Sequence, residues 1–151
     1  MVEGEIQRSA VAKIVFSGSD DSLASSEAQQ ELAFLESVTH PAIQELLKQR
    51  IDQIAERGDC PVVVLDAAVM FKAGWDAMCD RIIYVDVPRD IRKKRAIERG
   101  MSAKQFEARE SAQMAVSEKK ERAQIIIDNS DTPQKTYKQV EEVWYSLLQI
   151  A

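Results

Sequence analysis

Arg81-Ile82-Ile83-Tyr84-Val85-Asp86-Val87-Pro88 is a β-branched run that carries an acidic residue near its end and stops at a proline. Such a continuous apolar stretch is typical of a strand covered on both faces. Pro88 cannot donate to a ladder and so ends it. Working outward, Pro61-Val62-Val63-Val64-Leu65-Asp66 has the same character, and Gln124 to Asp128 reads as a third buried strand ending at Asn129-Ser130. Helical periods alternate with these runs. Asp90 to Arg99 is a charged helix closed by Gly100, and a second helix runs from about Ser102, a plausible N-cap, to Arg122. A helical turn is expected around Trp75 to Met78. The last helix, about Pro133 to Ile150, directs Val140, Val143, Trp144, Leu147 and Leu148 toward a core. Strands alternating with helices imply right-handed crossovers, so the fold class is α/β with a three-stranded parallel sheet covered by helices. Ligands of such sheets bind beyond the carboxyl ends of the strands, where Asp66, Asp86 and Asn129 lie.

The first 58 residues read as helical. Residues 5–16 could form a short helix ending in Ile14-Val15-Phe16, and Ser17 to Ser26 is a Ser/Asp-rich loop. A helix from about Ser26 to Val38 aligns Leu32, Leu35 and Val38. Pro41 suits the first turn of a separate helix, whose Ile43, Leu46, Leu47, Ile51 and Ile54 repeat at helical spacing until Gly58. At 151 residues the chain fits a single domain, 1–151, with ordinary hydrophobic (45%) and charged (30%) content.

A net charge of −5 argues against a general nucleic-acid or membrane surface. Residues 89–122 nevertheless hold eleven Lys/Arg and six Asp/Glu, a basic segment that suits either a phosphorylated small molecule or a solvated helix pair. Cys60, Cys79 and the single histidine, His40, have no zinc-ligand spacing. The thiols suit a reducing compartment. No apolar run reaches the length of a membrane span, and Met1-Val2-Glu3-Gly4-Glu5 lacks the parts of a signal peptide, so a cytoplasmic protein is expected. None of the five glycines is followed by lysine, so G-x-x-x-x-G-K-[ST] is absent, as is G-x-G-x-x-G.

Several segments together resemble the dephospho-coenzyme A kinase family. Gly4-Glu5-Ile6-Gln7-Arg8 with Ile14-Val15-Phe16 is similar to its G-x-I-x-R…V-F lead-in, and Thr39-His40-Pro41-Ala42-Ile43 to its H-P-x-I element. Leu65 to Gly74 resembles its strand followed by P-L-L-F-E, and Asp80 to Asp86 its D-R-v-i-v-V-D strand. Arg95 and Arg99 fit its R-x-x-x-R helix, Ala112-Gln113-Met114 its lid, and Ile127-Asp128-Asn129 its I-D-N strand end. The resemblance implies a P-loop kinase-like fold with a helical lid over residues 99–122 and an acceptor-side region over 1–58. It implies phosphoryl transfer from ATP, accompanied by Mg²⁺, to the ribose 3′-hydroxyl of dephospho-coenzyme A.

Within that resemblance Arg95, Arg99 and Arg109 are the expected catalytic cations. Arg95, Arg99, Gln113 and Asn129 face the nucleotide, and His40, Asp66 and Lys72 face the acceptor. Plainer roles stand beside these: surface ion pairs with Glu98 or Glu107 for the arginines, helix capping for His40, turn capping for Asp66.

The departures are specific. Ala68 replaces the family's proline and Lys72 its glutamate; Arg92-Lys93 stands where the family has Q-L, and Ala123-Gln124 where it has A-D. The first strand and the phosphate loop are expected to be missing, which would leave the chain inactive alone, marginally stable, self-associating or dependent on a partner. The alternatives are a noncatalytic binder of coenzyme A or nucleotide, a remnant completed by a partner, and a nucleoside monophosphate kinase, to which the H-P-x-I and I-D-N elements are less suited.

Overall fold

The computed structural model describes residues 22–149 together with Gln7, Ala10, Val11 and Ile14. Ala10, Val11 and Ile14 are helical, within the segment expected to be so. Gln7 apart, the rest of the Gly4-to-Phe16 lead-in lies outside the described residues, as do residues 17–21 of the expected loop, whereas residues 22–26, also expected in that loop, are helical. The chain divides into two compact units, Met1–Glu56 and Arg57–Ala151.

Helix α1 spans Ser22–Arg57 without a break. Two helices were expected, because Pro41 has no N–H for the Ser37 carbonyl. The structure carries the helix through. The Ser37 hydroxyl donates to the Phe34 carbonyl (2.7 Å) and the Thr39 hydroxyl to that of Leu35 (2.8 Å), so the turns before the proline gain side-chain bonds. Beyond it, Gln44 to Gln49 are strong helix formers, and the Gln49 amide donates to Glu45 at 2.9 Å. Leu32, Leu35, Leu47, Ile51 and Ile54 are half-buried, whereas Val38, Ile43 and Leu46 are exposed. Gly58 follows the last turn, as expected.

After the end of α1 the second unit begins with a segment without regular secondary structure. Residues 62–66 pair with no described strand, so the expected first strand is absent from the ladder and the sheet has two strands rather than three. β-branched residues favour extended backbone, but a strand exists only where a neighbour accepts its hydrogen bonds. Helix α2 (Met70–Ala73) and a 3₁₀ turn (Trp75–Met78) follow, joined by Gly74. Strand β1 is Ile83–Asp86, helix α3 Arg89–Glu98, α4 Ala103–Ser111, α5 Val116–Arg122, strand β2 Ile125–Asp128 and helix α6 Pro133–Leu148.

β1 and β2 are parallel, with Ile83 opposite Ile125 and Asp86 opposite Asp128. The Gln124 side chain strengthens the start of the pair by accepting from Ile82 N–H at 2.8 Å. At the other end the Gln139 amide of α6 brackets Asp128. It accepts from the Asp128 N–H (2.9 Å) and donates to the Asp128 carbonyl (2.8 Å), as a neighbouring strand would.

α3 ends in a Schellman turn: Gly100 N–H donates to Ile97 (2.9 Å) and Met101 N–H to Ala96 (3.0 Å). Gly100 sits at φ 88°, where a side chain would be strained. α4 starts with a capping box between Ser102 and Gln105. One helix was expected from Ser102 to Arg122, but the chain breaks at Ala112–Ala115. The Ser111 hydroxyl donates back to the Ala108 carbonyl (3.1 Å), and Ala115 is extended at ψ 143°.

The core of this unit is small: Trp75, Val87, Phe106 and Ile127 are buried. Val64 is 80% exposed, Val85 50% and Ile126 50%, and β1 has no described strand along its second edge. On α6 only Val143 and Leu147 turn partly inward; Val140, Trp144 and Leu148, also expected in the core, are exposed.

Candidate functional site

The carboxyl ends of β1 and β2 gather the polar groups that a parallel sheet offers to ligands. Asn129 N–H donates to the Asp86 carbonyl at 2.8 Å, extending the ladder by one step beyond β2. The Asn129 carbonyl in turn accepts from the Arg95 guanidinium (3.0 Å), and its side-chain oxygen accepts from the Thr136 hydroxyl (3.2 Å). Two sequence-predicted residues, Arg95 and Asn129, are therefore joined directly. The Asp86 carboxylate accepts from Lys120 Nζ at 2.6 Å, which brings the root of α5 to the same strand end. Beside it Asp128 is held below the usual carboxylate range by hydrogen bonds from Ser130, side chain first and then backbone.

Over this end lies the pair α3 and α4, fastened by charge. Glu107 pairs with Arg89 and with Lys93 (2.9 Å), and Glu110 with Arg92 and with Arg89 (3.8 Å). The hydrogen bonds from Lys93 and Arg89 hold the Glu107 carboxyl below the ordinary glutamate range. Arg92 Nε also donates to the Val87 carbonyl (3.0 Å), tying the latch to the end of β1. Phe106 is buried, and the Arg89 guanidinium lies 5.7 Å from its ring centre. Arg109 lies on α4 between the two latched glutamates and is exposed.

After the break, the Gln113 side chain accepts from Lys119 (2.6 Å), and burial pushes the Lys119 ammonium below its usual pKa. Arg122 closes α5 onto the other side of the unit. It pairs with Asp76, and its guanidinium lies 4.3 Å from the Phe71 ring centre.

The remaining expected residues are dispersed. Arg99 is the exposed C-cap of α3, one turn beyond Arg95. Asp66 is exposed at the end of the 62–66 segment, and Lys72 is exposed on α2. His40 is half-buried within α1, in the other unit. Of the two glutamates weighed as partners for the site arginines, Glu98 and Glu107, the latter binds Arg89 and Lys93 instead. The sequence reading did not single out Glu110, Lys120, Arg122 or Gln139. The excess of Lys/Arg over residues 89–122 was the signal pointing toward Lys120 and Arg122, and it did not mark Glu110 or Gln139. Among the described residues no group of three or more His, Cys, Asp or Glu could hold a metal ion.

Comparison with known proteins bears on this arrangement. The dephospho-CoA kinase (CoaE) family model matches residues 1–134. The chain is similar to the dephospho-CoA kinase of Geobacter sulfurreducens, 36% identical over 143 residues, covering 94% of this chain and 67% of that protein. It is 35% identical to that of Symbiobacterium thermophilum over 143 residues, covering 94% of this chain and 55% of the relative. The chain thus spans about half to two thirds of the length of these relatives. Among solved structures it is similar to the crystal structure of TT1252 from Thermus thermophilus, with a TM-score of 0.72 and 28% identity, covering 97% of this chain and 70% of that one. A dephospho-CoA kinase from Campylobacter jejuni has a TM-score of 0.65 at 20% identity, covering 99% and 69% respectively. The α/β arrangement of a small parallel sheet with helices is that of the P-loop kinase-like class.

Proposed function

Because the chain belongs to the dephospho-CoA kinase family, we propose that it supplies the strand-end and lid portion of an enzyme that phosphorylates the ribose 3′-hydroxyl of dephospho-CoA. The γ-phosphoryl of ATP passes to the 3′-oxygen, the bond to the ADP oxygen breaks, and the hydroxyl proton is released. The family match carries this reading, and the join between Arg95 and Asn129 at the strand ends agrees with it. In this proposal Arg95 and Arg99 bind nucleotide and phosphates, Gln113 and Asn129 line the nucleotide side, and Arg109 closes with the lid over 99–122. His40, Asp66 and Lys72 meet the acceptor, and the 1–58 region forms the acceptor side of one domain. Transfer needs cations arranged around the moving phosphoryl, which these arginines can provide. Mg²⁺ arrives on the nucleotide in this reading, since the described residues form no cage for it. No described helix is long and apolar enough to cross a membrane, and we place the reaction in the cytoplasm.

CoA formation from dephospho-CoA and MgATP is the test, measured on the chain alone and on the chain joined to the phosphate-loop segment of a relative. Turnover by the joined protein, lost with Arg95→Met, is the expected result. No CoA from either protein overturns the proposal.

A second reading is favoured by the open edge of β1 and the exposed Val64, Val85 and Ile126. It is a noncatalytic CoA- or nucleotide-binding protein whose edge is covered by a partner or a second copy. Calorimetry that detects ATP or dephospho-CoA binding by the 151-residue chain, without turnover in the joined protein, would select it.

A further inference from the structure

The four ion pairs between α3 and α4 do more than cover surface. Two carboxylates of α4, Glu107 and Glu110, lie three residues apart and face three cations of α3, Arg89, Arg92 and Lys93. The pairs interlock: Arg89 touches both glutamates and Glu107 touches two cations. Such sharing fixes the rotation of one helix against another, whereas a single exposed pair would not. Phe106 supplies the apolar peg at the centre, and Arg92 anchors the assembly to the Val87 carbonyl beside β1. Beyond α4 the fastening changes: Ala112–Ala115 interrupts the helix, and α5 is held separately by Lys120 to Asp86 and Arg122 to Asp76. α4 is thus a short body with its own latch, hinged at Gly100–Met101 and at Ala112–Ala115. Arg92 and Lys93, two of the five latch residues, occupy positions where the sequence departs from the family it resembles.

We infer that Arg89, Arg92, Lys93, Glu107 and Glu110 form a latch that sets the rotation of α4 and thereby positions Arg109 toward the nucleotide. The five latch side chains are positioning residues; of these six residues only Arg109 touches the phosphates, beside Arg95 and Arg99. This rests on the proposed kinase site only for the destination of Arg109, not for the latch itself.

The test has two arms, both on the 151-residue chain. In the first, amide hydrogen exchange is followed across α3, α4 and α6 in Glu110→Arg, Arg92→Glu and the double swap. The expected result is exchange roughly threefold to tenfold faster in α4 for each single variant, little change in α6, and recovery in the swap. Unchanged α4 exchange, or no recovery in the swap, overturns the latch. In the second arm, calorimetry measures ATP affinity for wild type, Glu110→Gln, Arg109→Ala and their combination. Glu110→Gln should weaken ATP about threefold to tenfold in the wild-type background and have no effect beside Arg109→Ala. An equal loss in both backgrounds overturns the positioning role, because the glutamate would then act without Arg109. Absence of ATP binding by wild type overturns the positioning role in this chain, turnover by the joined protein decides the nucleotide-site reading, and the exchange arm decides the latch by itself.

Discussion

One N–H of the Arg95 guanidinium is committed to the Asn129 carbonyl, which aims the rest of its fork along the strand ends. A planar fork held at one corner is pre-oriented for a phosphate in a way that an ammonium is not. Arg95→Lys is therefore expected to weaken ATP binding about tenfold by calorimetry despite keeping the charge, and Arg95→Met by roughly tenfold to a hundredfold. Glu107 gives a pH prediction. Lys93 and Arg89 favour its ionised form in the fold, so its folded pKa lies below the unfolded one. The stabilisation is complete above the ordinary glutamate range, about pH 4, and disappears as pH falls through the depressed folded value. Exchange in α4, corrected for its intrinsic pH dependence, should rise in that acid window in wild type and stay flat in Glu107→Gln. At this scale the sequence disclosed the cations but not their partners. A count of charges over residues 89–122 marks the segment as basic, yet only the turn between α3 and α4 decides that Arg89 and Lys93 reach Glu107.

The elements most legible in the sequence were those defined by local chemistry. Pro88 after β1, Gly100 after α3, Ser102 before α4 and Pro133 at the start of α6 all stand within two residues of a boundary. Where an element depends on distant partners, sequence reading failed. Val62, Val63 and Val64 look like a strand but have no described neighbour to ladder with, and the break at Ala112–Ala115 has neither proline nor glycine to announce it. Pro41 misled in the other direction, because strong helix formers after it carry α1 through a proline that costs about 3 kcal/mol in a helix interior. Pro41→Ala is expected to raise the stability of α1 by about 1–3 kcal/mol, read as a higher melting temperature by circular dichroism. If the His40-Pro41 turn of α1 seats the acceptor, the same variant should bind dephospho-CoA more weakly. Ser102→Ala removes the capping box and should cost about 1 kcal/mol, seen as faster exchange confined to the first turn of α4.

For the whole molecule, apolar surface outruns core. Val64, Val85, Ile126 and the Val140–Trp144 face of α6 remain in contact with water while only a few large side chains are buried. Open strand edges flanked by such residues invite pairing with another chain. Sedimentation and thermal unfolding should therefore depend on protein concentration, and Val85→Lys should shift the chain toward monomer; a sharp, concentration-independent transition of a monomer would contradict this. The parallel pairing of β1 with β2 also has a consequence for biosynthesis. Ile82 and the Gln124 that it bonds are 42 residues apart, with α3, α4 and α5 encoded between them. At ordinary ribosomal speeds β1 emerges roughly two to eight seconds before its partner. For that interval Ile82-Ile83-Tyr84-Val85 lacks the strand that it pairs with in this structure, so the length of the α3-to-α5 connection sets how long that edge waits for β2.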